Sequence, residues 1–71
     1  MINTRKVKAR MIILGLTQPI VAELMGMNVA TLNAKINNNR RLYVDEHRKL
    51  VEILKLNTVK EQRELLGVAL I

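Results

Sequence analysis

The stretch QPIVAELMGMNVATLNAKINN, residues 18–38, decides the fold of this chain. Apolar residues on either side of Gly26 recur with the three- and four-residue spacing of amphipathic helices. Ala22 supplies the small side chain that two closely crossing helices need, and Gly26, four residues later, tolerates the positive φ of a sharp turn. The spacing therefore predicts a helix-turn-helix over residues 17–37, and the expected inner stripe of its first helix is Ile20, Val21, Leu24 and Met25.

Helical spacing continues on both sides of this motif. A first helix is expected from Thr4 to the turn at Gly15, a fourth from about Val44, and a fifth from the capping box at residues 58–61. No stretch alternates with the period of two that indicates a strand. The sequence therefore predicts an all-α fold, a compact five-helix bundle, in a single domain over residues 1–71.

The composition excludes several classes of function. Cysteine is absent, so a disulfide framework, a zinc ribbon, an iron–sulfur site and a cysteine nucleophile are excluded. His47 has no second ligand at metal spacing and is expected on an exposed helix face. Asp45 and Glu46 are adjacent in sequence, so they point in different directions on a helix and do not form a catalytic pair. They are expected to complement the dipole at the N-terminus of the fourth helix. We therefore expect no enzyme, no catalytic or metal site, no cofactor and no small-molecule substrate.

The charge is strongly positive and unevenly distributed. Twelve Lys and Arg stand against six Asp and Glu, a formal net charge of +6. Residues 1–49 hold nine basic and three acidic groups and carry this whole net charge, whereas residues 50–71 are balanced. Such asymmetry favours a nucleic acid or an acidic protein surface as partner, with solubility as the simpler alternative.

The sequence carries no clear membrane or secretion signal. The apolar run at residues 11–16 is far shorter than the roughly 20 residues that a membrane-spanning helix needs. Basic residues precede this run, but neither a long apolar region nor a cleavage site follows it. We therefore expect a cytoplasmic protein without a membrane partner.

The segment LTQPIVAELMGMNVATLNAKINNNRRLYVDEHRKLVEILKLN, residues 16–57, resembles the DNA-binding domain of the XRE family, the Cro/CI-type regulators of temperate phages. Its Met-Gly-Met at residues 25–27 also occurs in the lambda repressor. The resemblance covers roughly residues 4–57 and extends to small Cro-like proteins from phages of Gram-positive bacteria. It implies a lambda-repressor-like bundle and a transcriptional regulator of the lysis–lysogeny switch that binds double-stranded operator DNA in the host cytoplasm.

The resemblance also assigns roles to individual residues. It makes Gln18, at the start of the second helix, a phosphate contact. It places the residues that face DNA bases or a partner at the start of the third helix: Val29, Ala30, Thr31 and Asn33. Further phosphate contacts fall at Lys35, Asn37, Asn38, Arg40 and Arg41. Among the base-facing residues of the third helix, Asn33 is the one suited to read adenine with two hydrogen bonds.

The third helix departs from the family pattern at its first exposed positions. Val29 and Ala30 stand where Gln, Ser, Arg or Lys is usual, and neither side chain can hydrogen-bond to a base. An alternative function follows from this departure. The chain would then be an anti-repressor, a modulator of repression that keeps the helix-turn-helix shape and binds the cognate phage repressor, blocking its DNA binding by protein contact.

The apolar C-terminal residues leave three alternatives open. They close the bundle, or they form the homodimer contact that Cro-like proteins use to bind two half-sites, or they form a patch that binds another protein. The residues concerned are Leu65, Leu66, Val68, Leu70 and Ile71.

Overall fold

The computed structural model describes residues 1–70, and in that range it contains α-helices and no strand. The helices are α1 (Thr4–Ile13), α2 (Gln18–Met25), α3 (Val29–Ile36), α4 (Val44–Ile53) and α5 (Val59–Leu66). The predicted all-α class and the predicted five helices are thereby confirmed. None of the five, within the described range, has the length and apolar character needed to cross a membrane.

Side-chain caps set the beginnings of the helices. Asn3, Thr17, Asn28 and Thr58 each accept a hydrogen bond from a backbone N–H three residues later. The first turn of α4 uses a different device, because the carboxylate of Glu46 reaches back to accept from the backbone N–H of its N-cap residue at 3.0 Å. These local bonds explain why the helix starts are readable from the sequence.

A short turn at residues 26–28 joins α2 to α3, and the two helices pack against each other. Gly26 ends α2 with φ 71° and ψ 31°, in the left-handed region that suits glycine. The next backbone N–H, that of Met27, donates to the carbonyl of Ala22 at 3.0 Å. Ala22 is 1% exposed, so its small side chain is buried on the face of α2 that packs against α3 and α4.

The core is made of aliphatic side chains from every helix. Those with less than 2% exposure and the largest volumes are Val7, Val21, Leu32, Ile36, Leu50, Leu54 and Leu56. The predicted inner stripe of α2 is wrong in part, because Ile20 and Leu24 are 43% and 54% exposed. Val21, Ala22 and Met25 form the buried face instead.

The first residues of the chain contact both the loop after α3 and the end of α5. Ile2 is buried, and its backbone N–H and carbonyl are both bonded to the side-chain amide of Asn38, at 2.8 and 2.9 Å. The backbone N–H of Asn3 donates to the carbonyl of Leu65 at 2.8 Å. We call this arrangement of Ile2, Asn3, Asn38 and Leu65 the N-terminal clasp.

The C-terminal apolar residues divide between the core and the surface. Leu65 and Leu66 are buried and help to close the bundle, whereas Val68 is 51% exposed. Ile71 lies outside the described residues.

His47 is buried, which corrects the expectation of an exposed side chain. It lies three residues before Leu50 on α4, so it shares the inner face of that helix. Its Nε2 donates to the carbonyl oxygen of Val68 at 2.9 Å, and the imidazole is 4% exposed. The segment after α5 therefore covers a histidine that the sequence pattern alone assigns to solvent.

Candidate nucleic-acid interface

One side of α3 is exposed from its first residue to Asn33, and the half-buried C-cap residue Asn37 continues it. Val29, Ala30, Asn33 and Asn37 follow each other at helical spacing and share a face, which we call the α3 stripe. The opposite face holds Leu32 and Ile36, which are completely buried. Thr31 borders the stripe and is half-buried. The structure therefore places the predicted base- or partner-facing residues of α3 next to one another.

Two asparagines of the α3 stripe are bonded to each other. Asn37 Nδ2 donates to Asn33 Oδ1 at 2.9 Å, and the pair is exposed. Asn33 Nδ2 then remains as a donor and Asn37 Oδ1 as an acceptor. Adenine presents one acceptor and one donor on its major-groove edge, the same complement in reverse. The bond limits the rotamers of both side chains, which reduces the entropy lost on contact with a base.

Arg40 and Arg41 follow the α3 stripe in the loop between α3 and α4. Both residues are exposed. Among residues 1–70 neither guanidinium group takes part in an ion pair. Their charges are thus available to an external anion, and a guanidinium group fits a phosphate with two parallel hydrogen bonds.

Gln18 is the first residue of α2. Its backbone lies at the positive end of the helix dipole, where N–H groups without helical partners point outward. The residue is half-buried and lies beside Lys8 and Ile12 in a shallow depression. This position suits a phosphate contact.

Lys35 does not lie with the other predicted phosphate contacts. The residue is 5% exposed, and its Nζ is 2.5 Å from each carboxylate oxygen of Glu46. The ammonium group also lies 5.1 Å from the centre of the Tyr43 ring. Its position three residues after Leu32 turns it toward the inner face of α3. An ammonium group that is buried and already paired with a carboxylate cannot bind a DNA phosphate, so the predicted phosphate contact at Lys35 is wrong.

The partner of Lys35 is held in its charged form. Burial raises the pKa of Glu46, but hydrogen bonds from Lys35 and from the backbone N–H of Tyr43 lower it by more. The pKa of this carboxyl therefore lies below its ordinary value of 4.5. Sequence reasoning missed the pair, because eleven positions separate Lys35 from Glu46 and no local pattern joins them.

Asn38 also has a different role from the predicted one. Its side-chain oxygen and nitrogen are both bonded to the backbone of Ile2, and its φ of 64° lies in the left-handed region that asparagine tolerates. We therefore assign Asn38 to the N-terminal clasp instead of to phosphate binding.

The helix pair α2–α3 also exposes apolar side chains. Ile20 and Leu24 lie one turn apart on α2, and Val29 begins α3 with 40% of its surface exposed. Earlier in the chain, Ile12 and Ile13 at the end of α1 are 78% and 77% exposed. Where such side chains are contiguous, as Ile20 and Leu24 are along α2, they offer apolar area to another protein.

Comparisons with known proteins add no assignment. No protein family, no curated protein and no solved structure matches the chain. In the part of the chain that the structure describes, no three His, Asp or Glu side chains gather as metal ligands would. The chemistry of the site therefore rests on the α3 stripe, the two loop arginines and the start of α2.

Proposed function

We propose that this protein is a DNA-binding transcriptional regulator that contacts operator DNA through α2 and α3, as the Cro/CI-type regulators it resembles do. The observation that carries the proposal is the α3 stripe, which leads directly to two exposed arginines without ion-pair partners among residues 1–70. The stripe supplies groups for the major groove, and Arg40 and Arg41 supply charge for the backbone beside it.

Phosphate contacts supply most of the affinity in this proposal. Gln18, Arg40 and Arg41 are the remaining candidates, since Asn37 is bonded to Asn33. Each phosphate that an arginine neutralises adds about −0.9 to the slope of log affinity against log salt. Base reading depends on Thr31 and the Asn33–Asn37 pair, while Val29 and Ala30 can touch only thymine methyl groups. The protein therefore binds DNA with modest discrimination between sequences.

Electrophoretic mobility of DNA from the region beside the protein's own gene tests the proposal. We expect a discrete shift that unlabelled DNA of the same sequence abolishes and random DNA does not. The shift should weaken at least tenfold between low and physiological salt if several phosphates are contacted. No retardation of any DNA at low salt would refute the proposal. Sedimentation at the same concentrations shows whether a homodimer binds two half-sites.

The exposed Ile20, Leu24 and Val29 favour a second candidate, an anti-repressor that binds a phage repressor through α2 and α3. The double substitution Val29→Gln and Ala30→Ser separates the two functions. It should preserve or strengthen DNA binding, since both new side chains can hydrogen-bond to bases. It should weaken a complex with a repressor, because it removes apolar contact area. Release of the repressor from its operator by a protein that does not itself shift DNA would identify the second function.

A further inference from the structure

A cleft of about 470 Å³ opens beside the loop between α3 and α4. Its walls come from that loop, from the first residues of the chain, from α4 and from the end of α5. Parts of the chain that are far apart in sequence thus form one concave surface. The volume falls within the range of about 300–1,000 Å³ that is usual for small-molecule sites.

The cleft has an apolar wall. Ile2, Leu42, Leu66 and Val68 line it. Ile2 and Leu66 belong to the core cluster, and Leu42 packs against that cluster, so this wall is held in place by the bundle. A ligand that fills the cleft must therefore bring an apolar body, because a hydrated inorganic ion gains nothing from such a surface.

The charge at the cleft is positive. Arg40 and Arg41 line it, and no aspartate or glutamate does. The third cation in its lining, Lys35, is already paired with Glu46. Arg40 acts on the Glu46 carboxylate only through space, as one of the smaller influences that lower its pKa. Among the lysine and arginine side chains of the lining, the two guanidinium groups are thus the ones that have no ion-pair partner within residues 1–70 and that an anionic ligand would meet.

We infer that this cleft binds a small organic anion, a carboxylate attached to an aliphatic chain, with the chain against Leu42, Leu66 and Val68 and the carboxylate on Arg40 and Arg41. Part of the inference rests on the proposed function, because the same arginines are candidates for phosphate contact there. A carboxylate bound to them competes with DNA phosphates. The ligand therefore lowers the affinity of the protein for DNA.

The binding arm of the test needs no DNA. The full-length protein is titrated with octanoate, below the concentration at which it forms micelles, and backbone amide and His47 ring signals are followed by NMR. Two matched probes are acetate, which has the charge without the chain, and 1-octanol, which has the chain without the charge. Octanoate should give saturable shifts around the cleft. It should bind at least about tenfold more tightly than 1-octanol, since a hydrogen bond to a charged group contributes about 1.5–3 kcal/mol. It should also bind at least about tenfold more tightly than acetate, because acetate has no chain to bury against the apolar wall.

Substitutions then locate the ligand. Arg40→Ala with Arg41→Ala should weaken octanoate binding by about tenfold or more. Arg5→Ala with Arg63→Ala removes two exposed arginines that do not line the cleft and should leave the binding unchanged. Val68→Trp fills the cleft from its half-exposed wall and should abolish the binding while both arginines remain. Equal binding of octanoate and 1-octanol, shifts away from the cleft, or an unchanged affinity in the Arg40/Arg41 variant would each overturn the inference.

A second arm separates this inference from the proposed function. Octanoate should release labelled DNA from the wild-type protein and should release none from the Val68→Trp variant. If the protein binds octanoate in the cleft but binds no DNA, the site stands and the proposed function fails. If octanoate binds in the cleft and leaves DNA binding unchanged, the competition between ligand and DNA is wrong.

Discussion

The ammonium nitrogen of Lys35 lies 2.5 Å from both carboxylate oxygens of Glu46, and the two side chains join α3 to the first turn of α4. The lysine side chain is 6% exposed and the glutamate side chain 18% exposed. Glu46 also accepts the backbone N–H of Tyr43, so one carboxylate neutralises a buried cation and caps a helix.

Removing one partner of this pair should cost stability. Lys35→Met leaves the partly buried Glu46 without its counter-charge, and we expect the free energy of unfolding to fall by about 2–3 kcal/mol. The double variant Lys35→Met/Glu46→Gln removes the charge as well and should recover part of that loss. Urea denaturation measures all three proteins. Lys49→Met, on an exposed part of α4, is the control and should change stability by no more than about 0.5 kcal/mol.

The free energy of unfolding should decrease as the pH falls into the acid range. The pKa of Glu46 is lowered in the folded protein, as is that of Glu61, whose carboxylate accepts a hydrogen bond from Arg10. A lowered pKa in the folded state means that the stabilisation is present above the ordinary value of 4.5 and is lost as the pH falls through the folded value. Thermal unfolding between neutral pH and pH 3 should show this loss. The Glu46→Gln variant should lose less stability over that interval, and an unchanged slope would contradict the role of the pair.

Arg40 and Arg41 should act on all DNA sequences alike. Replacing both with alanine should lower affinity by about the same factor for every duplex and reduce the salt slope by about 2, because phosphate contacts carry no sequence information. Fluorescence anisotropy at several salt concentrations gives both quantities. Lys60→Ala with Arg63→Ala removes the same charge from α5 and should have a smaller effect. Equal effects of the two double variants would show that only net charge matters.

Asn33 should act on sequence preference. Asn33→Ala removes the donor that the Asn33–Asn37 pair offers, and discrimination at one base-pair position should fall by about 1–3 kcal/mol. Selection from a randomised duplex library, with the wild-type protein in parallel, measures the change. An unchanged preference would show that α3 does not read bases through this residue.

Two glycines should differ in what an added methyl group costs. A Cβ at Gly26 meets no atom within 4 Å, so Gly26→Ala should cost only the strain of its positive φ, about 1–2 kcal/mol. A Cβ at Gly67 would overlap the backbone of Met1, so Gly67→Ala must displace the segment that forms the N-terminal clasp. Its loss of stability should therefore be the larger. Midpoints of thermal unfolding rank the two variants, and the reverse order would show that the clasp moves freely.

The helices were predictable because their signals are local. Thr17, Asn28 and Thr58 each cap a helix through a bond that spans three residues, and such bonds depend on little else in the chain. The burial of Lys35 and His47 was not predictable in this way. One depends on Glu46, eleven positions away, and the other on the carbonyl of Val68, twenty-one positions away. Polar groups enter a core only with partners that the fold supplies, so their burial follows from tertiary structure.

The same distinction applies to the candidate site. The residues of the α3 stripe share one face because positions three and four apart lie together on a helix, and such spacing is readable from the sequence. The family resemblance predicts a phosphate contact at Asn38, as it does at Asn37 and the two arginines. Its left-handed backbone turns the side chain to Ile2, thirty-six positions away, and no short pattern encodes that contact.

The N-terminal clasp has a consequence for synthesis of the protein. Asn3 leaves the ribosome well before Leu65, to whose carbonyl its backbone N–H donates. The backbone N–H of Asn3 therefore has no access to this acceptor until α5 has left the ribosome. A nascent chain can pair α2 with α3 early, because their contacts are close in sequence. The Asn3–Leu65 bond, by contrast, forms only after α5 has left the ribosome.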